Sequence, residues 1–268
     1  MPTVQWIINE MEAWTPASLA ESYDNVGLLV GDSSQPVKKI LVALDATDAV
    51  IKEAIENNYD CIVTHHPLIR DPLKRIVASD VTARRVMNLI KNGISLYTAH
   101  TNLDKTAGGV GDCLAQKLGL GLRNVTPLIK DPSNEKIGFG RVGELQNEMT
   151  LGELAEHVKK SLGIKDVRYS GSLSTKIKKV ALCGGSGMSF WQAVKDTNCD
   201  VYITGDVKYA DANMVLSAGV SLLDITHYYS ENVVVEAIVE RLREKAKNAN
   251  LPLKINATSV IGQTFYTV

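Results

Sequence analysis

Short runs of aliphatic and β-branched residues alternate with helix-length amphipathic segments along most of this chain, and that alternation limits the fold more than any other feature. Residues 26–30, 40–44, 61–64 and 95–99 read as strands. Residues 49–57, 81–91 and 110–118 read as helices, after a first amphipathic helix carrying Trp6, Ile7, Ile8 and Met11. Strands that alternate with helices of this length predict a mainly parallel sheet with both faces covered, hence an α/β fold.

The pattern lapses at residues 128–134, where Pro127, Pro132 and the polar residues between them read as a connector. A second series follows, with strands expected at 139–142, 180–183, 201–204 and 222–226 and helices at 151–160, 190–196, 210–216 and 233–246. The tail, 258–268, is rich in β-branched and aromatic residues and reads as one more strand. The two series look like a repeat. Lys38-Lys39-Ile40 matches Lys178-Lys179-Val180, and Asp60 to Thr64 matches Asp200 to Thr204, both at an offset of 140 residues. His100 pairs with His227, and Asp104 with Glu231, at 127.

Composition narrows the class. The 268 residues suffice for one large α/β domain or two smaller ones, and a net charge of −1 provides no global field for nucleic acid or an anionic membrane. No Lys/Arg block marks a basic patch. Cys61, Cys113, Cys183 and Cys199 form no C-x-x-C pair or zinc-ribbon spacing, which predicts four reduced thiols. No stretch approaches the roughly 20 apolar residues of a membrane-spanning helix, and the start lacks a basic, apolar leader. A cytoplasmic protein is expected.

The chemistry-bearing residues fall just after expected strands. Cys61 to Thr64 runs into His65-His66-Pro67, 95–99 into His100 and Asp104, and 222–226 into His227 and Glu231. Ligands of open parallel sheets bind outside the carboxyl ends of the strands, so these imidazoles and carboxylates form a site candidate. Imidazole with carboxylate suits zinc, iron, manganese or cobalt, and the lack of thiolate favours an open site over a closed structural one. Singly, each residue has an ordinary reading. Asp104 could cap a helix beginning near Gly108, Glu231 could be a helix-start carboxylate, and two loop histidines could make plain hydrogen bonds. Four of the five histidines lie at these strand ends, however, and only His157 sits in a polar helix. The glycine runs Gly108-Gly109-Val110-Gly111 and Gly184-Gly185-Ser186-Gly187 match no P-loop and read as tight turns rather than phosphate cradles. Asp45 and Asp206 lie at strand ends too, where capping or turn roles are usual, and Lys208 near Asp206 could reach a substrate.

Several segments together resemble the NIF3-like dinuclear metal proteins, the GTP cyclohydrolase I type 2 homologues. The carriers are Asp24-Asn25-Val26-Gly27-Leu28, Thr64-His65-His66-Pro67-Leu68, Ala99 through Asp104, Gly184 through Gly187, Thr204-Gly205-Asp206, and His227 through Glu231. The resemblance spans nearly the whole chain. It implies an α/β fold of two intertwined α/β/α repeats with mostly parallel mixed sheets, and a metal site at the strand C-terminal ends between them. Residues 1–127 would form the first repeat, completed by the tail 247–268, and 128–246 the second, with no inserted middle domain. It implies two divalent cations (Zn, Fe, Mn or Co) held by His65, His66, Asp104, His227 and Glu231, with Glu231 bridging. His100 matches a histidine of the family and would carry protons. One departure is visible: the family pattern often has glycine before the last histidine, and here Thr226 stands there.

The activity so implied is GTP cyclohydrolase chemistry, in which metal-bound hydroxide attacks the nucleotide base and formate leaves. The alternative is a non-enzymatic metal-binding, interaction or regulatory protein. The expected partners are a small-molecule substrate such as GTP and further copies of the chain in a homohexamer, not a membrane or nucleic acid.

Overall fold

Strands buried on both faces read as nearly continuous apolar runs, and the centre of the first sheet follows that rule, with hydroxyl residues (Thr64, Ser95, Thr98) only at the strand ends. Its strands are β1 (Gly27–Val30), β2 (Lys39–Ala43), β3 (Cys61–Thr64) and β4 (Ser95–Thr98), and every residue of β3 and β4 is buried. The order is β1-β4-β3-β2, followed by a fifth strand, Lys254–Ala257, parallel to β2. β2, β3 and β4 are parallel, and β1 runs antiparallel at the edge. This computed structural model describes residues 1–267. Its chain divides into two units: Met1–Thr106 with Val234–Gly262, and Ala107–Val233 with the tail from Gln263.

Helices of the first unit begin where the sequence supplies caps. In α1 (Val4–Glu12) the buried residues Val4, Ile7 and Met11 recur at helical spacing. The Thr47 side chain caps α2 (Asp48–Glu56), and Asp80 caps α3 (Val81–Lys91), each accepting a backbone N–H three residues on. A single-turn helix, α4 (Thr101–Lys105), follows β4 directly.

The second unit opens with α5 (Val110–Leu118) and holds β5 (Arg123–Thr126), β6 (Ile129–Asp131), β7 (Asn134–Phe139) and β8 (Arg141–Thr150). Then come α6 (Leu151–Leu162), β9 (Arg168–Ser170), β10 (Lys176–Leu182), α7 (Trp191–Asp196) and β11 (Val201–Thr204). α8 (Tyr209–Ser217), β12 (Ser221–Asp224) and α9 (His227–Glu231) follow, and α10 (Val233–Asn248) continues into the first unit. The sheet order is β5-β8-β10-β11-β12-β9, with β10, β11 and β12 parallel and the outer strands antiparallel to their neighbours. A reciprocal capping box between Thr150 and Glu153 starts α6, and left-handed Gly163 ends it.

The expected connector at 128–134 is instead part of a hairpin, β6 paired with β7. Its strands are mostly polar and solvent-facing, so no apolar alternation marks them. A Cβ on Gly138 would lie 1.9 Å from the Ile129 carbonyl oxygen, so only glycine fits this close pairing. The strand expected at 139–142 straddles Gly140, where φ is +60° and β7 gives way to β8. The tail differs as well. The strand is Lys254–Ala257, and residues 258–267 form none, while Val268 lies outside the described residues. After a last ladder bond from the Thr258 N–H to the Val42 carbonyl, the Thr258 hydroxyl and the Ser259 hydroxyl and N–H donate to the Glu53 carboxylate.

The repeat holds in detail. The Asp60 carboxylate accepts the backbone N–H groups of Lys38 and Lys39, and Asp200 accepts those of Lys178 and Lys179. Lys39 caps the carbonyl of Asn57, and Lys179 that of Thr197. Gly31 (φ +117°) packs on Ser95 as Gly171 (φ +122°) packs on Ser221, each so tightly that a Cβ would come within 2.7 Å of the serine oxygen or closer.

Candidate metal centre

Each unit carries candidate ligands at the carboxyl ends of its own parallel strands. In the first, β3 leads directly into His65 and His66, and β4 leads through Ala99 into His100 and α4. The three imidazoles cluster, with ring centroids 4.9 Å (His65–His66), 5.2 Å (His65–His100) and 5.6 Å (His66–His100) apart. One ring nitrogen from each lies within 4.8 Å of the others, close enough to hold a cation together. The bend of the chain at residues 65–66 thus lets vicinal histidines share one cluster. Asp104 does not cap the helix near Gly108. It sits in α4, with Oδ1 3.7 Å from His65 Nε2.

What fixes these rings is their Nδ1 side. His65 Nδ1 donates to the Ala99 carbonyl at 3.0 Å, which leaves Nε2 as the lone-pair nitrogen. His66 Nδ1 pairs with Asp45 Oδ1 at 2.9 Å, and His100 Nδ1 with Asp24 Oδ1 at 2.9 Å. Burial of Asp24 opposes its ionisation, but hydrogen bonds from His100 and from the Thr101 hydroxyl and backbone N–H outweigh that and hold its carboxyl far below the usual carboxylate range. It is thus ionised throughout the working pH range and available to steady His100.

In the second unit, β12 leads into α9, which carries His227 and Glu231 one turn apart. His227 Nε2 lies 2.8 Å from Glu231 Oε2, and its Nδ1 pairs with Asp206 at 2.8 Å. Glu231 is therefore the buried last residue of a short helix, not a helix-start carboxylate. The glycine run after β10 makes room for it. A Cβ on Gly185 (φ +62°) would lie 2.2 Å from Glu231 Oε1, and the Gly185 N–H binds Ser230 Oγ. The turn expected for Gly184–Gly187 is thus also a bed for a carboxylate. Gly111 has a comparable role for Arg141, whose Nη1 would stand 3.3 Å from an added Cβ. His157, outside the site, binds the Leu118 carbonyl at 2.6 Å.

Three carboxylates were legible only as turn residues or as parts of a motif: Asp24, Asp45 and Asp206. Each orients one histidine, in the manner of carboxylate–histidine–metal triads. The signal that could have found Asp45 and Asp206 is their shared position two residues beyond β2 and β11. Thr226 carries an unexpected cost. Its φ of +64° and ψ of +160° lie in a region that β-branched residues avoid, which explains a glycine preference there. The four cysteines are free thiols, and no helix among the described residues is long and apolar enough to cross a membrane.

The fold and donors define an α/β protein with imidazole–carboxylate groups able to bind a metal ion. The Duf34/NIF3 (NGG1p interacting factor 3) family profile matches residues 2–262, and the chain belongs to that family. A Clostridium perfringens protein named GTP cyclohydrolase 1 type 2 homolog is 42% identical over 89% of this chain and 90% of its own length. A protein of the same name from Clostridium acetobutylicum is 34% identical over 97% and 95%. The crystal structure of a Bacillus cereus protein related to NIF3 superposes with a TM-score of 0.94 at 28% identity, covering 100% of this chain and 99% of that one.

Proposed function

We propose that this protein is a dinuclear divalent-metal hydrolase acting on a nucleotide, of the kind for which its relatives are named. The observation that carries the reading is the set of oriented imidazoles: His65, His66, His100 and His227 each have Nδ1 tied to a carbonyl or carboxylate, so that Nε2 would be the coordinating atom of His65, His66 and His227 and the proton-carrying atom of His100. His65, His66 and Asp104 from one unit, with His227 and Glu231 from the other, would hold two ions, Glu231 bridging. Zinc, iron, manganese and cobalt all suit that donor set. Ions so held supply Lewis acidity and make water a nucleophile near neutral pH.

The chain's own groups do the rest. Asp45 and Asp206 keep His66 and His227 in the coordinating tautomer, and the Ala99 carbonyl does so for His65. His100, backed by ionised Asp24, is placed to take a proton at Nε2 and hand it to a leaving group. The glycine bed under Glu231 holds its carboxylate without a side chain competing for the space. In the proposed reaction on GTP, the guanine imidazole ring opens and formate leaves.

The direct test supplies metal-loaded protein with GTP and follows formate. Turnover that disappears in Asp104→Ala and falls steeply in His100→Gln supports the reading. A protein that binds two ions per chain yet releases no formate above the Asp104→Ala control has a different role, and the nucleotide-hydrolase assignment then fails.

A further inference from the structure

The segment that joins β3 to α3 is long for a strand-to-helix connection. No helix or strand interrupts residues 65–80, where connections of about two to six residues are usual. Its near end is fixed. The Asn25 side-chain amide donates to the Ile69 carbonyl at 2.6 Å, and Leu68, Ile69 and Leu73 pack against the core of the first unit. Beyond that base the segment walls a cleft of about 790 Å³, whose lining begins at Pro67, next to His66.

Arg70, Lys74 and Arg75 line this cleft, and all three are exposed. Among the described residues none of the three makes an ion pair, whereas nearby Arg84 and Arg85 are both engaged by Asp48. Two acids share the lining, Asp71 and Asp80, and Asp80 is occupied in capping α3. Three unpaired cations against two carboxylates leave the lining a formal excess of one positive charge, in a chain of net charge −1. They are spread over six positions and interrupted by Asp71 and Pro72, so they form no block in the sequence.

We propose that this cleft binds the phosphate chain of the substrate, with Arg70, Lys74 and Arg75 on its oxygens and the substrate's other end directed towards His66. Guanidinium groups match phosphate oxygens in bidentate geometry, and a lysine adds a mobile point charge. The assignment rests on the proposed nucleotide reading for the identity of the substrate, but the cleft's affinity for a polyphosphate can be read without turnover.

The test titrates inorganic tripolyphosphate into the metal-loaded full chain by calorimetry, at two salt concentrations. Saturable, salt-sensitive binding that weakens about tenfold or more in the Arg70→Gln/Lys74→Gln/Arg75→Gln variant is the expected result. Arg70→Lys/Arg75→Lys, which keeps the charges but loses the bidentate geometry, should bind with an affinity between wild type and the triple variant, and unchanged melting curves establish that both variants fold. Binding unaffected by the triple substitution overturns the proposal. So does binding that vanishes on chelation in wild-type protein, because the phosphates would then sit on the metals. A single-stranded oligonucleotide that outcompetes tripolyphosphate would assign the cleft to nucleic acid and overturn it as well. Cleft-dependent tripolyphosphate binding without formate release from GTP would sink the cyclohydrolase reading and leave the cleft standing.

Discussion

At single positions the site combines orientation with strain. Asp45 and Asp206 meet the Nδ1 atoms of His66 and His227, not the Nε2 atoms proposed to coordinate. An amide in their place can present either face to the ring and carries no charge, so Asp45→Asn and Asp206→Asn should each weaken divalent-ion affinity about 10–100-fold. Competition with a chromophoric chelator reads that directly. Asp24→Asn acts on His100 instead. In the proposed division of roles it leaves ion affinity nearly unchanged and lowers turnover, while an affinity loss equal to that of Asp45→Asn would make His100 a ligand. Thr226 is the converse case. A β-branched residue at φ +64° bears strain of about 1–3 kcal/mol, against about 1 kcal/mol of extra chain entropy lost by glycine. Its hydroxyl receives only a long 3.3 Å contact from Gln263. Thr226→Gly is therefore expected to raise stability, by up to about 2 kcal/mol, in urea melts. A loss would mean that the surroundings had already relieved the strain.

Among the elements, the pair that ties α5 to the strand β8 is open to attack by acid. Arg141 is buried and donates to both carboxylate oxygens of Asp112 and to the carbonyls of Gly138 and Gly140. Burial of Asp112 opposes its charge, but Arg141 and the Gly108 N–H prevail and hold its carboxyl below the ordinary value. The folded state then binds protons less readily than the unfolded one. The stabilisation is complete above the unfolded carboxylate value near 4 and is lost as pH falls towards the folded value. Asp112→Asn should cost about 2–3 kcal/mol near neutrality, because it strips the charge partner from a buried guanidinium, and should flatten the acid limb of a urea-midpoint profile. This pair also shows where sequence reading stops. The strands β3 and β11 and the helices α3 and α5 were legible to the residue, because full burial makes a strand a nearly continuous run of apolar and β-branched residues and caps mark helix ends. The β6–β7 hairpin was not, because exposed strands need no apolar pattern. Nor was the Asp112–Arg141 bond, since nothing local couples residues 29 positions apart. At the site, His65, His66, His100, Asp104, His227 and Glu231 could be named from strand ends. The carboxylates behind the rings could not be assigned to them, because which acid meets which Nδ1 is decided by packing.

For the whole molecule, the duplication separates scaffold from site. The Asp60 and Asp200 anchors and the Gly31–Ser95 and Gly171–Ser221 contacts recur at equivalent places in both units. The residues just past β3 and β11 have diverged, His65-His66 in one unit and Gly205-Asp206 in the other, so one copy presents rings and the other a glycine and an orienting acid. The shared anchors act within a unit, whereas the proposed ligand set draws on both units, and that difference has a thermodynamic consequence. Ions that bind only the folded form stabilise it by mass action, by about 2.7 kcal/mol at a free concentration 100 times the dissociation constant. If each ion takes donors from both units, that stabilisation is lost when either unit opens, so loading should merge their unfolding into one transition. Chelated protein should melt at lower temperature and, by calorimetry, as two overlapping transitions, which collapse to one when zinc or cobalt is restored. Glu231→Gln tests the same coupling, because a bridging carboxylate made neutral should leave the loaded protein melting like the chelated one. Two transitions that persist at saturating metal would confine each ion to a single unit, with the histidine cluster of the first as its holder.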